Sequence, residues 1–127
     1  MSAATTTSRF FARTMKVTRR QATFDAHLVR LEGVFRETDV GDWLEPLIAD
    51  VHFQAAREGL REVVLDITQL EYANAAFWTS LVSWIKRMRA DADTSYTLRI
   101  KTEPKHRWQQ IGMPMLRIFG AERLEVA

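Results

Sequence analysis

Two polar side chains bracket the stretch of this 127-residue chain whose residue types best suit binding chemistry: Asp66 and Asn74. Asp66 closes the apolar run Val63, Val64, Leu65 and is followed by Ile67. That run predicts a strand covered on both faces. A carboxylate at the carboxyl edge of a parallel sheet lies where ligand sites gather. It can equally cap the Thr68–Leu70 turn through its own side chain. Asn74 precedes Phe77, Leu81, Trp84, Ile85 and Met88, whose spacing predicts an amphipathic helix. Its side chain is placed to accept hydrogen bonds from the unpaired N–H groups of the first turn. Ala75 and Ala76 follow at the helix mouth, where backbone N–H groups and the macrodipole favour negative charge. Thr79 and Ser80 are the nearest hydroxyls, and on a helix they point about 100° apart.

For bond-making chemistry the residues offer little. His27, His52 and His106 are scattered, with no HExxH motif, and a pairing of His52 with Glu45 or Asp50 is weak as a metal site. No G-x-S-x-G, G-x-G-x-x-G or Walker loop occurs, and the chain holds five glycines and no cysteine. We therefore expect a non-enzymatic domain without metal or cofactor. Of the four tryptophans, Trp43 and Trp84 fall within apolar stripes and are assigned to the core. Trp78, one residue after Phe77, is either core or a solvent-reaching anchor of the kind enriched in binding hot spots. Lys86, Arg87 and Arg89, with Lys101, Lys105 and Arg107, form either a solvated basic surface or the border of a docking face.

Length allows one domain with a full core. Composition, with 46% hydrophobic and 27% charged residues, is that of a globular protein. No window approaches the roughly 18 apolar residues that span a bilayer, so no membrane association is expected. The lack of cysteine fits a reducing compartment, and the expected location is cytoplasmic. The net charge of +2 is uneven: Arg9, Arg13, Lys16, Arg19 and Arg20 are unopposed in residues 1–24, and the remainder is mildly acidic. A nucleic-acid partner is not expected, because its usual mark is a basic face on the folded domain.

Along the chain, residues 1–8 are small and polar and are expected to be mobile, although their composition superficially resembles a transit sequence. Residues 1–20 form a basic, flexible arm in which an edge strand is an option, and residues 21–127 form the domain. Phe11–Thr18 and Thr23–Phe35 are the first strand candidates, with Gly33 marking a bulge or close approach. A helix capped at Thr38 or Asp39 follows, carrying Trp43, Leu44, Leu47, Ile48, Val51 and Phe53 or Ala55, with Pro46 near its start and Gly59 ending it. After the central strand and helix come a half-exposed strand from Tyr96 to Lys101, a helix near Trp108–Phe119 and a short strand at Leu124–Val126. The order β-β-α-β-α-β-α-β implies an α/β domain with a mostly parallel sheet of four to six strands and helices packed on it.

The segment LDITQLEYANAAFWTSLVSWIKRM resembles the central motif of STAS domains, the fold of bacterial anti-sigma factor antagonists. In that family a strand ends in Asp-hydrophobic-Ser/Thr, here Asp66-Ile67-Thr68. A short loop then leads to an Asp/Asn-Ser-Ser/Thr-Gly turn that opens a helix, here Asn74-Ala75-Ala76-Phe77. Trp108 and Gln109 are similar to a Trp-Gln step found near the C-terminus of a small branch of the family. The likeness spans about residues 22–127 and is motif-like in the middle.

The resemblance implies a protein-binding module of a partner-switching system, docking a GHKL-type serine kinase that doubles as an anti-sigma factor, or a related regulator. It implies contact through Asn74, Ala75, Ala76, Trp78 and Thr79, with Asp66 and Thr68 supporting the loop. In typical members a Ser or Thr at the turn is phosphorylated, and the added charge ejects the partner. Ala75 and Ala76 stand at those positions and carry no hydroxyl, so the usual switch cannot operate there. Two alternatives stay open. One is a small-molecule or lipid carrier with a cavity lined by Phe53, Trp84 and Met115. The other is a self-associating subunit, such as a homodimer, whose Phe10–Arg20 arm adds a strand to a neighbour's sheet.

Overall fold

The computed structural model describes residues 6–8, 15–36 and 39–127. Its elements are β1 (Thr6–Ser8), β2 (Met15–Thr23), β3 (Ala26–Phe35), α1 (Val40–Glu58), β4 (Glu62–Asp66), β5 (Leu70–Ala73), α2 (Ala75–Ala90), β6 (Thr97–Lys101), α3 (Arg107–Gly120), a 3-10 turn (Ala121–Arg123) and β7 (Leu124–Val126). Six strands lie in the order β1-β2-β3-β4-β6-β7, and the short β5 pairs with β3. The β1/β2 and β2/β3 pairs are antiparallel, and all the others are parallel. The mostly parallel α/β sheet is therefore the expected one, with β5 as an additional piece.

From β3 onward the chain steps through β4, β6 and β7 in one direction across the sheet. Right-handed crossovers that always advance the same way put their helices on the same face. Accordingly Val29, Leu31, Val63, Leu65, Leu98 and Ile100 share one core with residues of α1, α2 and α3. The alternate residues Arg30, Glu62, Val64 and Arg99 stay partly exposed, with Arg99 facing Glu62 and Glu125. This corrects the expectation that β4 is covered on both faces. Among the described residues no helix is long and apolar enough to cross a membrane.

The strand expected at Phe11–Thr18 is β2, which begins at Met15 and runs to Thr23; residues 11–14 lie outside the described set. The hairpin turns at Phe24–Asp25, so β3 opens at Ala26 instead of Thr23. Thr6–Ser8, expected to be mobile, pairs with Val17–Arg19. The division placed at residue 20 falls inside β2, whose Val17 is buried in the core. Met15–Arg20 is thus paired to β3 and, in part, to β1, which leaves this part of the arm already engaged within its own sheet. Gly33 adopts φ 105°, at an irregular step between Gly33 and Val34 where β3 meets β5, and its N–H donates to Gln69 O at 3.1 Å. Gly59 ends α1 in the left-handed region at φ 61°, as expected.

A polar chain crosses this core. Trp84 Nε1 donates to Tyr96 Oη at 2.7 Å, Tyr96 Oη lies 2.8 Å from His52 Nδ1, and His52 Nε2 lies 2.8 Å from Asp91 Oδ2. The tyrosine hydroxyl accepts from Trp84 and shares a second hydrogen bond with His52 Nδ1. Both imidazole nitrogens of His52 are thereby partnered, one by Tyr96 and the other by Asp91. Burial raises the Tyr96 hydroxyl well above its ordinary range. Asp91 is the partner of His52; Asp50 pairs with Arg19 instead.

Candidate functional site

Helix α2 begins at Ala75 behind Asn74, whose backbone is extended, but the Asn74 side chain makes no capping hydrogen bond. This departs from the expected side-chain cap. A cap contributes about 1 kcal/mol, whereas burying a large apolar side chain contributes roughly 1.5–3 kcal/mol. Phe77, Leu81, Trp84, Ile85 and Met88 are all fully buried, so packing of the stripe decides where this helix forms. Asn74 is fixed through its backbone instead, its N–H donating to Phe35 O at 3.0 Å.

At the mouth, Ala75 is exposed and Ala76 is half-buried against the core. Thr79, one turn after Ala75, is exposed on the same side, whereas Ser80 is buried against α1 near Gly41. Trp78 is half-buried and does not stand free as an anchor. A Cβ on Gly112 of α3 would lie 2.2 Å from its ring, so the indole rests directly on that glycine's backbone. It meets Phe77 and Trp108 edge-on at 5.2 Å and 5.7 Å. Only part of one face is left for a visitor.

The loop before α2 is held from two directions. Asp66 is 4% exposed and accepts from Thr68 N at 2.9 Å, Thr68 Oγ1 at 2.6 Å and the Arg30 guanidinium at 3.1 Å. Its role in the structure is thus to cap the Thr68 turn. From α3, Gln109 is fully buried; its Nε2 donates to Ile67 O at 2.8 Å and Leu70 O at 3.1 Å, while its Oε1 accepts from Glu103 N. Trp108 Nε1 donates to Glu71 O at 2.8 Å. Adjacent residues of the Trp-Gln step therefore bind three carbonyls of the segment that leads into the site. Their role as a clamp could not be read from the loop itself, because carbonyl partners carry no side-chain signature.

Burial pushes the Asp66 carboxyl up, but the Thr68 hydroxyl and N–H and the Arg30 charge outweigh it, and the net shift is downward. A carboxylate with a depressed native pKa contributes stability above its ordinary value of 3.8, and that contribution is lost as pH falls through the native value. Asp66→Asn is therefore expected to flatten the fall in stability below about pH 4 while lowering stability at neutral pH. Urea titrations of both proteins across that range check this. Equal slopes would contradict it.

Among the described residues, Phe53, Trp84 and Met115 do not form the cavity expected of a carrier, although Phe53 lines an open groove of about 620 Å3 with Pro46, Ala49, Asp50, His52, Arg87 and Asp91. Phe53 is 63% exposed on the outside of α1, Met115 is exposed on α3 and Trp84 is buried between them, so the three do not line a common cavity. Position 55 supplies the inward side chain at that point of α1, with Phe53 turned to solvent. The gap between sheet and α1, lined by Val29, Leu44, Val51, Leu81 and Trp84, measures about 10 Å3 and has room for a single water.

A parallel sheet advancing one way, helices on a single face, and a helix opening behind a strand-end Asp-Ile-Thr turn define an α/β domain with the STAS fold. Among solved structures the chain is similar to the crystal structure of an anti-sigma factor antagonist from Mycobacterium paratuberculosis, with a TM-score of 0.56 and 13% identity over 98% of this chain and 86% of that one. At that identity the likeness is one of fold. No protein-family model matches the sequence, and a search of curated proteins finds no match.

Proposed function

We propose that this domain is a non-enzymatic, protein-binding regulatory module that docks a partner through the mouth of α2, in the manner of an anti-sigma factor antagonist. The observation that carries this reading is the exposed Ala75 with Thr79 beside it in the first turns of α2, behind a segment clamped by Asp66, Gln109 and Trp108. A pre-ordered surface loses little conformational freedom on binding. The STAS fold supports the same reading. The contact set is Asn74, Ala75, Ala76, Thr79 and the exposed part of Trp78, and the partner is a GHKL-type serine kinase or related regulator. With alanine at 75 and 76, docking is independent of the partner's kinase activity.

Ala75→Asp tests this reading. A carboxylate at the first helical position is favoured by the macrodipole by about 0.3–1 kcal/mol, so the fold stays intact. Affinity for the cognate kinase is expected to fall about tenfold, because the new charge is desolvated on docking. Calorimetric titration with and without ATP reads both points. Unchanged affinity in the variant, or loss of wild-type binding on adding ATP, would overturn the proposal.

A further inference from the structure

Helices α2 and α3 together carry Lys86, Arg87, Arg89, Arg107 and Arg117 and no acidic residue. By contrast α1 carries Asp42, Glu45, Asp50 and Glu58 against Arg57 alone. The molecule thus presents its helical layer with one acidic and one basic flank.

On the basic flank an apolar stripe faces outward. Ile111 and Ile118 of α3 are 74% and 81% exposed, and Met115 and Phe119 are also exposed. Their spacing places all four along one side of the helix. The inward side is already satisfied by Met113, Leu116 and Gly120, so the outer stripe is not needed for the core. The stripe joins α2 directly: the Lys86 ammonium sits 5.6 Å from the Phe119 ring centre, and Arg89 Nη1 donates to Phe119 O at 3.2 Å. Trp78 on Gly112 makes the same junction at the other end. The surface therefore continues from Ala75 and Thr79 along α2 and onto α3.

We infer that the outer stripe of α3, with Lys86 and Arg89, docks an acidic amphipathic segment of a protein partner: an apolar ridge edged with carboxylates. The inference rests on the proposed function for the partner being a protein. Charge complementarity selects the occupant. A second copy meeting this face by two-fold symmetry would set like charges against each other. Lys86 and Arg89 are held at one end of the stripe, on the Phe119 ring and carbonyl, which suits discrete carboxylates of a protein segment; an anionic lipid surface is the competing outcome of the test.

The test is a titration of the full chain, followed by amide NMR, with a synthetic helical peptide bearing leucines along one side flanked by glutamates. Shifts are expected at Ile111, Met115, Ile118, Phe119, Lys86 and Arg89. Affinity should drop about tenfold in high salt, and by a similar factor in the Lys86→Glu/Arg89→Glu double variant. Ile118→Ser, an exposed change that leaves the fold alone, should weaken binding as well. Equal binding of the lysine-flanked isomer would overturn the inference. So would preferential binding of phosphatidylglycerol vesicles, or self-association through α3 in light scattering. Shifts confined to residues 75–79 would overturn it and leave the proposed function standing. Shifts on α3 that bypass 75–79 would sustain it, and the contact set at the α2 mouth is then decided separately by the Ala75→Asp titration.

Discussion

Gln109→Leu is expected to lower the free energy of unfolding by about 3 kcal/mol, because it strands buried polar groups without changing side-chain bulk greatly. The amide of Gln109 supplies the side-chain partner of Leu70 O, shares Ile67 O and receives the Glu103 N–H, all from a fully buried position. Leucine can satisfy none of them. The loss falls on the segment 67–73 that carries the chain into α2, so hydrogen exchange there should accelerate more than in β4. Urea denaturation gives the global number. A change under about 1 kcal/mol would show that the carbonyls find other partners and that Gln109 is not the clamp.

Gly112→Val comes next, at about 2–3 kcal/mol. Replacing a helical glycine normally gains a few tenths of a kcal/mol for valine. Here the new Cβ would lie 2.2 Å from the Trp78 ring and 2.3 Å from a second ring carbon. Overpacking outweighs propensity, and the indole must leave its seat on α3. The same substitution should therefore red-shift tryptophan emission as Trp78 enters water, and it should disturb the edge-on contacts with Phe77 and Trp108. Stability equal to wild type with unshifted emission would contradict the packing described.

Much of this architecture was legible because periodicity reports burial directly. The inward stripe of α2, the end of α1 at Gly59 and the irregularity at Gly33 follow from residue type and spacing. β5 was not legible: Leu70–Ala73 is four residues long, with Glu71 and Tyr72 exposed, and its pairing with β3 is a tertiary matter. The one-sided sheet was misjudged because Val64 is apolar yet faces the charged surface. At the site, the Asp66 turn follows from a local Asx pattern, and Ala75 at the helix mouth from the spacing of the apolar stripe behind Asn74. The seat of Trp78 on Gly112 and the His52–Asp91 pair depend on residues 34 and 39 positions apart in the chain, and no local pattern announces them.

As proposed, a surface without a hydroxyl at positions 75 and 76 docks its partner permanently. Intact-mass analysis after incubation with the cognate serine kinase and ATP tests it most directly, with peptide mapping of any modified species. The expected result is an unchanged mass for the segment 74–80, with the kinase still bound. Phosphate on Thr79, exposed one turn beyond Ala75, accompanied by release of the kinase, would contradict it.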